Sequence, residues 1–484
     1  MLLTFLISLP LLTALFILLL QAKHIRLIER VVILSSLIEF GFVLTLIPSV
    51  IKFGSVEASR IFSLDPLGAF ISLIIALIGF FASLYSIGYL RAEVEKSIIG
   101  PNRVRQYFLS LKLFFFAMFL AVATMSPIVM WITIEATTLS TAFLISFYNK
   151  QSAIEAAWKY LIINSLGLLL SLLGTILFLA LPEAREGLST WQALAENASS
   201  MQPLIVKLAF IFILVGYGTK VGLVPFHTWK PDTYSKAPTP IAALLSSVLL
   251  NVAFLAILRF KGLTDAVLGS GFTGELLIFF GTLSIAFAAL LMFVQKNYKR
   301  LLAYSSIEHA GLLALGFGFG GLGIFAALLH MLYHALGKAL IFFVAGNIFL
   351  KYSSTKITHV TGMMSVLPLT APVFLAAFLA VLGFPPFGLF LTEFFLLSSG
   401  MKEYPYVVAF VLLMLAVIFF GFLKHLVKML FGTAPEGIGR GEANRFTQAP
   451  LVALLGLLVV FSWYLPETLM TLIQLSVDSL SLYP

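Results

Sequence analysis

Hydrophobic residues occur in runs of roughly 20 residues that recur along the chain and are separated by short polar stretches. A helix of that length crosses the hydrocarbon core of a bilayer, whereas a transmembrane β-barrel would show short segments of alternating polarity. The pattern therefore predicts an all-α polytopic membrane protein with about fourteen transmembrane helices. The predicted spans lie near 1–21, 31–51, 66–90, 109–126, 127–148, 156–181, 205–227, 236–260, 273–293, 300–320, 322–349, 365–397, 405–430 and 449–472.

Spans 7 and 12 carry helix-breaking residues, in "KVGLVPFHTW" around Pro225 and in "VLGFPPFGLFLTEF" around Pro386. Proline removes a backbone donor and clashes with the preceding turn. Broken helices at corresponding positions of two halves indicate inverted repeats with an ion path near the middle of the membrane. Ordinary kinks are the alternative, since Pro and Gly are common in membrane helices. We favour broken helices because an ionisable residue accompanies each break.

The two predicted five-helix repeats, with the helices before and after them, divide the chain into four parts. Residues 1–108 hold helices 1–3, residues 109–260 hold the first five-helix repeat (helices 4–8), residues 273–430 hold the second (helices 9–13), and residues 449–484 hold helix 14 and the tail. The first span has no basic n-region or small-residue cleavage site, so we interpret it as a retained helix.

Composition agrees with a membrane protein, because only 11% of the residues are charged and the chain has no cysteine. Soluble domains carry about 25% charged residues. The missing cysteine excludes disulfides, cysteine-held iron–sulfur clusters and thiol chemistry from this chain.

The net charge of +9 resides mainly in loops that follow the odd-numbered spans. The positive-inside rule places those loops in the cytoplasm, so both termini are expected on the non-cytoplasmic side of a prokaryotic cytoplasmic membrane. The basic charge is therefore a topology signal. No soluble basic face for nucleic acid exists, and we expect no nucleic-acid partner.

Glu135 in span 5 and Lys220 in span 7 lie within apolar segments. A charge at membrane depth costs about 2.5–3.5 kcal/mol, so such residues are rarely accidental. Pairing favours both charged forms and separation favours the neutral forms, so a pair that opens and closes would act as a proton switch. The alternative is a static ion pair that fixes helix packing.

Spans 10 and 11 add more ionisable groups: Glu308 and His309 in "SSIEHAG", and His330, His334 and Lys338 in "LLHMLYHALGKALIFF". The last three are four residues apart and share one helix face. Histidine titrates near neutral pH and suits proton relay. We favour His334 and interpret His330 as a packed, hydrogen-bonded histidine. The two histidines lack a third ligand and an intervening Glu, so no metal site is predicted.

Four further polar residues need an interpretation. Glu393, after the span 12 break, is a candidate exit group, and His227 and Asn251 are candidates for supporting the path or the helix break. Glu39 in span 2 has no obvious partner, so a packing role is expected. No phosphate loop, nucleotide fingerprint or nucleophile triad occurs, and no cofactor site is predicted in this chain.

Four segments carry a family resemblance: "GTKVGLVPFHTWKPDTYSKAPTP", "KRLLAYSSIEHAG", "HALGKALIFFVAG" and "GFPPFGLFLTEF". They resemble the antiporter-like subunits of respiratory complex I, Mrp-type cation/proton antiporters and membrane-bound hydrogenases. The resemblance implies fourteen helices, inverted five-helix repeats, broken helices 7 and 12, and proton translocation through a mid-membrane line of charges. It assigns that line to Glu135, Lys220, His334, Lys338 and Glu393.

Two departures refine the resemblance. Asn251 stands where many M-type subunits of complex I have a span 8 lysine. Without that lysine, the central relay would depend on His309, His334 and Lys338. The segments "SSIEHAG" and "LLNVAFLAILRF" look more like the F-type subunit of hydrogenase-4 and formate hydrogenlyase.

The resemblance implies a proton-translocating subunit of a hydrogenase-type or complex I-related respiratory complex. Iron–sulfur clusters and NiFe or other redox centres are then expected in partner subunits, together with further membrane subunits and the lipid bilayer. The alternatives are a subunit of a multi-subunit Na⁺/H⁺ antiporter, moving Na⁺ as well as H⁺, and a non-conducting membrane anchor.

Overall fold

The computed structural model describes residues 1–180 and 190–481, and these residues form an all-α membrane protein. One small antiparallel hairpin, β1 (Val56–Ser59) and β2 (Phe62–Leu64), interrupts the helices. The helices are α1 (Leu2–Leu19), α2 (Ile25–Phe53), α3 (Pro66–Glu95), α4 (Pro101–Ala123), α5 (Pro127–Ile145), α6 (Gln151–Leu179), α7 (Trp191–Glu196), α8 (Pro203–Val221), α9 (Trp229–Lys236), α10 (Thr239–Leu244), α11 (Leu250–Leu268), α12 (Ser270–Met292), α13 (Tyr298–Phe319), α14 (Leu322–Tyr352), α15 (Met363–Val366), α16 (Thr370–Val381), α17 (Gly388–Gly400), α18 (Pro405–Leu430), α19 (Arg445–Trp463) and α20 (Glu467–Ser481).

Within the described residues, 12 helices are long and apolar enough to cross a membrane, and α16 and α17 are shorter apolar helices. The predicted class, a polytopic all-α membrane protein, is confirmed. The count of fourteen spans, the two inverted repeats and the division at 108, 260 and 430 stay predictions.

Both predicted helix breaks are present. The first follows α8, where Gly222 adopts a left-handed conformation with φ +81, and the chain becomes helical again at Trp229. The second lies between α16 and α17 and contains Gly383 with φ +63. Pro225 and Pro386 lie inside these two interruptions, where a missing backbone donor does no harm.

The centre of the molecule is formed by two long helices that are buried on every side. One is the continuous helix Thr239–Leu268, in which a π-helical turn, Leu245–Leu249, joins α10 to α11. The other is α14, which packs against α10. A helix buried all round must be apolar all round, so the few polar residues on these two helices need a specific reason to be there.

The C-terminal span differs from its prediction. Residues 449–472 were expected to form one helix followed by a tail, but α19 ends at Trp463 and α20 continues to Ser481. Pro466 lies at this break. Proline cannot continue a helix but is tolerated where a new helix begins, so it explains why α19 ends here and α20 follows. The predicted polar connection 182–204 and the end of the tail lie partly outside the described residues.

Candidate functional site

Lys220 and Glu135 are brought together, but through a hydroxyl group. The Lys220 Nζ, in a residue only 1% exposed, donates to Thr138 Oγ1 at 2.7 Å and to the Tyr160 hydroxyl at 2.9 Å. Thr138 donates to Glu135 Oε2 at 3.2 Å, and Ser165 donates to Glu135 Oε1 at 2.7 Å. The direct ion pair expected from the sequence is therefore replaced by a lysine–threonine–glutamate unit.

Lys338 and Glu308 form a second unit of the same kind. The fully buried Lys338 Nζ donates to Ser305 Oγ at 2.6 Å, and Ser305 donates to Glu308 Oε2 at 3.5 Å. Ser305 and Glu308 are three residues apart on α13, as Glu135 and Thr138 are on α5, so hydroxyl and carboxylate share a helix face.

A bridging hydroxyl changes what a lysine–glutamate pair can do. A hydroxyl accepts one hydrogen bond while it donates another, so it can pass a proton from the ammonium to the carboxylate. A direct ion pair between buried residues mainly fixes their packing. The geometry of both units thus favours a proton switch over a static pair.

His309 connects the second unit to His330, since its Nε2 also lies 3.6 Å from Glu308 Oε2. Its Nε2 lies 3.0 Å from the backbone oxygen of Val381, and its Nδ1 lies 3.0 Å from His330 Nε2. Because a carbonyl only accepts, Nε2 of His309 carries a hydrogen, and Nδ1 of the neutral ring accepts one from His330. His330 Nδ1 in turn lies 2.9 Å from Thr392 Oγ1 on α17. The residue interpreted as a packed histidine is packed and hydrogen-bonded, and it also extends the polar line to α17.

His334 has a different environment. Its ring centroid lies 4.9 Å from that of His309, it is completely buried, and neither ring nitrogen has a hydrogen-bond partner among the described residues. Buried polar groups without protein partners are where internal water binds. His334 therefore suits contact with a chain of waters rather than a fixed protein partner.

Glu393 completes a cluster with Glu308 and His309. One ligand atom from each of these three residues lies within 4.8 Å of the others. The Glu393 carboxylate fills the space beside Gly383, where an added Cβ would overlap it. Two carboxylates this close to one another hold a shared proton or a cation more readily than two negative charges. This cluster, rather than His330 and His334, contains the described residues that could hold a cation.

Lys230 is a functional candidate that the sequence analysis missed. It is 1% exposed, its Nζ has no hydrogen-bond partner in the described part of the chain, and it lies 6.0 Å from the centre of the Trp229 ring. Its helix, α9, packs against both α6 and α13, which carry Tyr160 and Ser305. A charge on Lys230 would repel a charge on Lys338 or on a protonated His334. Lys230 therefore lies between the two lysine–glutamate units.

The missed signal is local. Lys230 follows Lys220 by ten residues and belongs to the same broken helix. The predicted spans, 205–227 and 236–260, place it in the loop between them instead. The break makes room for the lysine: an added Cβ on Gly222 would lie 2.5 Å from the Cδ and Cε atoms of Lys230.

The supporting residues lie beside the line. Asn251 is completely buried and donates to the backbone oxygen of Ser247 at 3.0 Å, in the π-helical turn, while its Oδ1 has no partner among residues 1–180 and 190–481. His227 is 6% exposed and packs against Phe287. Neither is hydrogen-bonded to a charged residue in the described structure.

Glu39 was expected to have no partner, and this expectation is wrong. Its carboxylate lies 2.8 Å from Lys112 Nζ, which also donates to Ser36 at 2.9 Å. Lys112 lies on α4, near the predicted start of span 4, so its position at membrane depth was overlooked. Because the contact is direct, this pair suits a structural role.

The fold and these contacts define a polytopic membrane protein with a buried line of ionisable residues. The family described as NADH:quinone oxidoreductase/Mrp antiporter, TM, matches residues 124–419. The family described as NADH-Ubiquinone oxidoreductase (complex I), chain 5 N-terminus, matches residues 50–97.

Two relatives with known names are similar over most of their length. The Hydrogenase-4 component F homolog of Methylacidiphilum infernorum is 39% identical over 406 residues, covering 83% of this chain and 84% of the relative. NADH-quinone oxidoreductase subunit N of Desulforudis audaxviator is 30% identical over 372 residues, covering 75% and 72%. The chain therefore belongs to the family of antiporter-like membrane subunits shared by NADH:quinone oxidoreductases and Mrp antiporters, as its motifs predicted.

Solved structures share the fold along nearly the whole chain. A chain of the membrane-bound sulfane sulfur reductase, an archaeal respiratory membrane complex, matches with a TM-score of 0.87 at 25% identity, covering 99% of this chain and 98% of that chain. A chain of the Mrp complex from Dietzia sp. DQ12-45-1b matches with a TM-score of 0.83 at 17% identity, covering 98% and 97%. Both are components of membrane complexes.

Proposed function

We propose that this protein is a proton-translocating, antiporter-like subunit of a hydrogenase-type or complex I-related respiratory complex. The observation that carries the proposal is the pair of lysine–hydroxyl–glutamate units, Lys220–Thr138–Glu135 and Lys338–Ser305–Glu308. Each unit can hold a proton on the amine or, through the hydroxyl, on the carboxylate. A translocating line needs such two-state sites at membrane depth.

Between the units, Lys230 and the histidines supply the remaining steps. Lys230 has no hydrogen-bond partner within the described residues, so its neutral amine is free to receive a proton from the Lys220 side. The ammonium that results repels the charge on Lys338. His309 and His330 continue the line by hydrogen bonds to Thr392, and Glu393 lies at its end as the exit group. This arrangement reassigns to Lys230 the central step that the amide of Asn251 cannot perform.

The driving force for translocation comes from outside the chain. Moving one charge against 100 mV requires about 2.3 kcal/mol, which a coupled electron transfer can supply. We place the redox centres, iron–sulfur clusters with NiFe or another centre, in partner subunits. The loops rich in Lys and Arg face the cytoplasm and both termini lie on the opposite side of a prokaryotic cytoplasmic membrane.

A subunit of a Na⁺/H⁺ antiporter is the second candidate. The cluster of Glu308, His309 and Glu393 favours it, because two carboxylate oxygens and a histidine nitrogen lie within 4.8 Å of one another. Carboxylate oxygens are ligands that hard cations prefer. In membrane vesicles without an electron donor, sodium-dependent proton movement through the native complex would favour this candidate. Movement that requires the donor favours the first.

Replacing Lys220 with Ala tests the proposed function. In vesicles that contain the assembled complex, we expect proton translocation per electron transferred to fall to background, because the first unit loses its ammonium. The matched control is Lys207→Ala, an exposed lysine on the same helix, which should retain the wild-type ratio. If Lys220→Ala retains coupled proton or sodium transport, the mechanism is wrong.

A further inference from the structure

Glu93 is a buried acid that belongs to neither lysine–glutamate unit. It lies in the last turns of α3, is 0% exposed, and its Oε1 accepts a 2.5 Å hydrogen bond from the Tyr148 hydroxyl. Its Oε2 is buried without a hydrogen-bond partner among the described residues. A carboxylate in this state needs a proton or a solvent molecule at the free oxygen.

A cavity of about 190 Å³ connects Glu93 to the surface. Glu93 and Tyr148 line its inner side, and Lys96, Lys150 and Ser353, all exposed, line its mouth. The space is sufficient for several water molecules, each of which occupies about 30 Å³ in the liquid. The three exposed residues follow spans 3, 5 and 11, in the loops that the positive-inside rule assigns to the cytoplasm.

A polar route continues inward from the cavity. Because Tyr148 donates to Glu93, Tyr89 donates in turn to Tyr148 at 3.0 Å. Tyr89 lies beside Thr239, at the start of α10. Thr239 Oγ1, the Tyr234 hydroxyl and Lys230 Nζ then follow along the α9–α10 segment, each buried and without a hydrogen-bond partner in the described residues. These atoms mark a polar route from Glu93 toward Lys230.

We propose that Glu93 is the group that takes up protons from the cytoplasmic side for this line. A proton from cavity water binds the free Oε2. When the two hydroxyls turn inward, the carboxyl group gives a proton to Tyr148, and Tyr148 gives its own to Tyr89. Tyr89 passes its own proton along the route through Thr239 to the neutral amine of Lys230. Each hydroxyl then keeps one proton, and the carboxylate is restored. Only a proton is transferred. This inference rests on the proposed function, since an uptake group is needed only if the line translocates.

The test compares four variants in vesicles containing the assembled complex: Glu93→Gln, Glu93→Ala, Tyr148→Phe and Glu95→Gln. Glu95 is the matched control, an exposed acid two residues further along the same helix. We expect Glu93→Gln and Glu93→Ala to lower the rate of proton translocation at least about tenfold, as for loss of a proton-transfer group. Tyr148→Phe should lower it less, and Glu95→Gln should leave it unchanged.

Chemical rescue separates proton uptake from a structural role. Acetate, a small weak acid that fits the cavity, should restore translocation in Glu93→Ala in proportion to its concentration, and should not restore it in Lys220→Ala. A wild-type rate in Glu93→Gln, or a low rate in Glu93→Ala that acetate leaves unchanged, would overturn the uptake role. If Lys220→Ala also translocates at the wild-type rate, the proposed function itself has failed; if only the Glu93 variants do, the failure is confined to this inference.

Discussion

Lys220, Lys230 and Lys338 are each at most 1% exposed, and their surroundings differ. Lys220 and Lys338 donate to hydroxyl groups that lead to a glutamate, whereas Lys230 has no hydrogen-bond partner within the described structure. A buried ammonium without a partner is unfavourable to folding, and a protein retains one where it serves a function. At the scale of the residue, Lys230 is therefore the most informative position for the mechanism.

Replacing Lys230 with Met should stop translocation without harming the fold. Methionine is unbranched and fills the same slot beside Gly222, and removing an unpaired buried charge is neutral or stabilising. We expect proton translocation per electron to fall at least about tenfold while the amount of assembled complex is unchanged.

The control for Lys230→Met is Lys236→Met, an exposed lysine on the same short helix, which should retain full activity. Vesicle proton uptake, normalised to electron transfer, measures both. Full activity in Lys230→Met would remove the residue from the line and return the central step to the histidines.

Some residues of the line could be predicted from sequence, and others could not. Lys220, Lys338 and Glu135 stand out because each is a charge inside a long apolar run. Lys230 lies in a segment with ordinary polar composition, and only the packing of α9 against its neighbours buries it. The hydroxyl bridges were also missed, since Thr138 and Ser305 are common membrane-helix residues that become informative only when their contacts are known.

At the scale of the element, the two broken helices could be predicted because proline and glycine act locally. Gly222 follows the end of α8 with φ +81, and Gly383 makes room for Glu393. Pro466 likewise separates α19 from α20. The apolar run continues across this position, so we predicted one span where the structure has two helices. The hairpin at β1 and β2 was missed because its strands are only 4 and 3 residues long.

A glycine substitution tests the first break. Gly222→Ala should impair both stability and translocation, because a left-handed alanine costs roughly 1–2 kcal/mol and its Cβ would displace the Lys230 side chain. Gly54→Ala is the matched control: Gly54 also ends a helix with positive φ, +78, but an added Cβ meets nothing within 4 Å.

The measurements for this pair are the thermal unfolding midpoint and the translocation rate of the assembled complex. Both variants should lower the midpoint, but only Gly222→Ala should lower the rate. Equal translocation in the two variants would show that the packing of Lys230 against Gly222 has no part in the mechanism.

At the scale of the whole molecule, the protein is a membrane-embedded member of a family whose solved relatives are components of larger complexes. The apolar pattern and the four motifs were sufficient to predict that class. The pattern does not give the number of helices that are long enough to cross a membrane, because a break divides predicted span 12 into the short helices α16 and α17. The redox centres of the partner subunits also could not be predicted from this sequence, because the chain carries no cysteine that would hold an iron–sulfur cluster.

The central claim is that the buried line itself carries protons, and the most direct test neutralises it at three positions. In the triple variant Glu135→Gln, Lys220→Met and Glu393→Gln, the measured quantity is the number of protons translocated per electron in vesicles containing the assembled complex. We predict that this ratio falls well below that of the wild-type complex while assembly persists. A wild-type ratio in the triple variant would contradict the account and identify the protein as a non-conducting anchor.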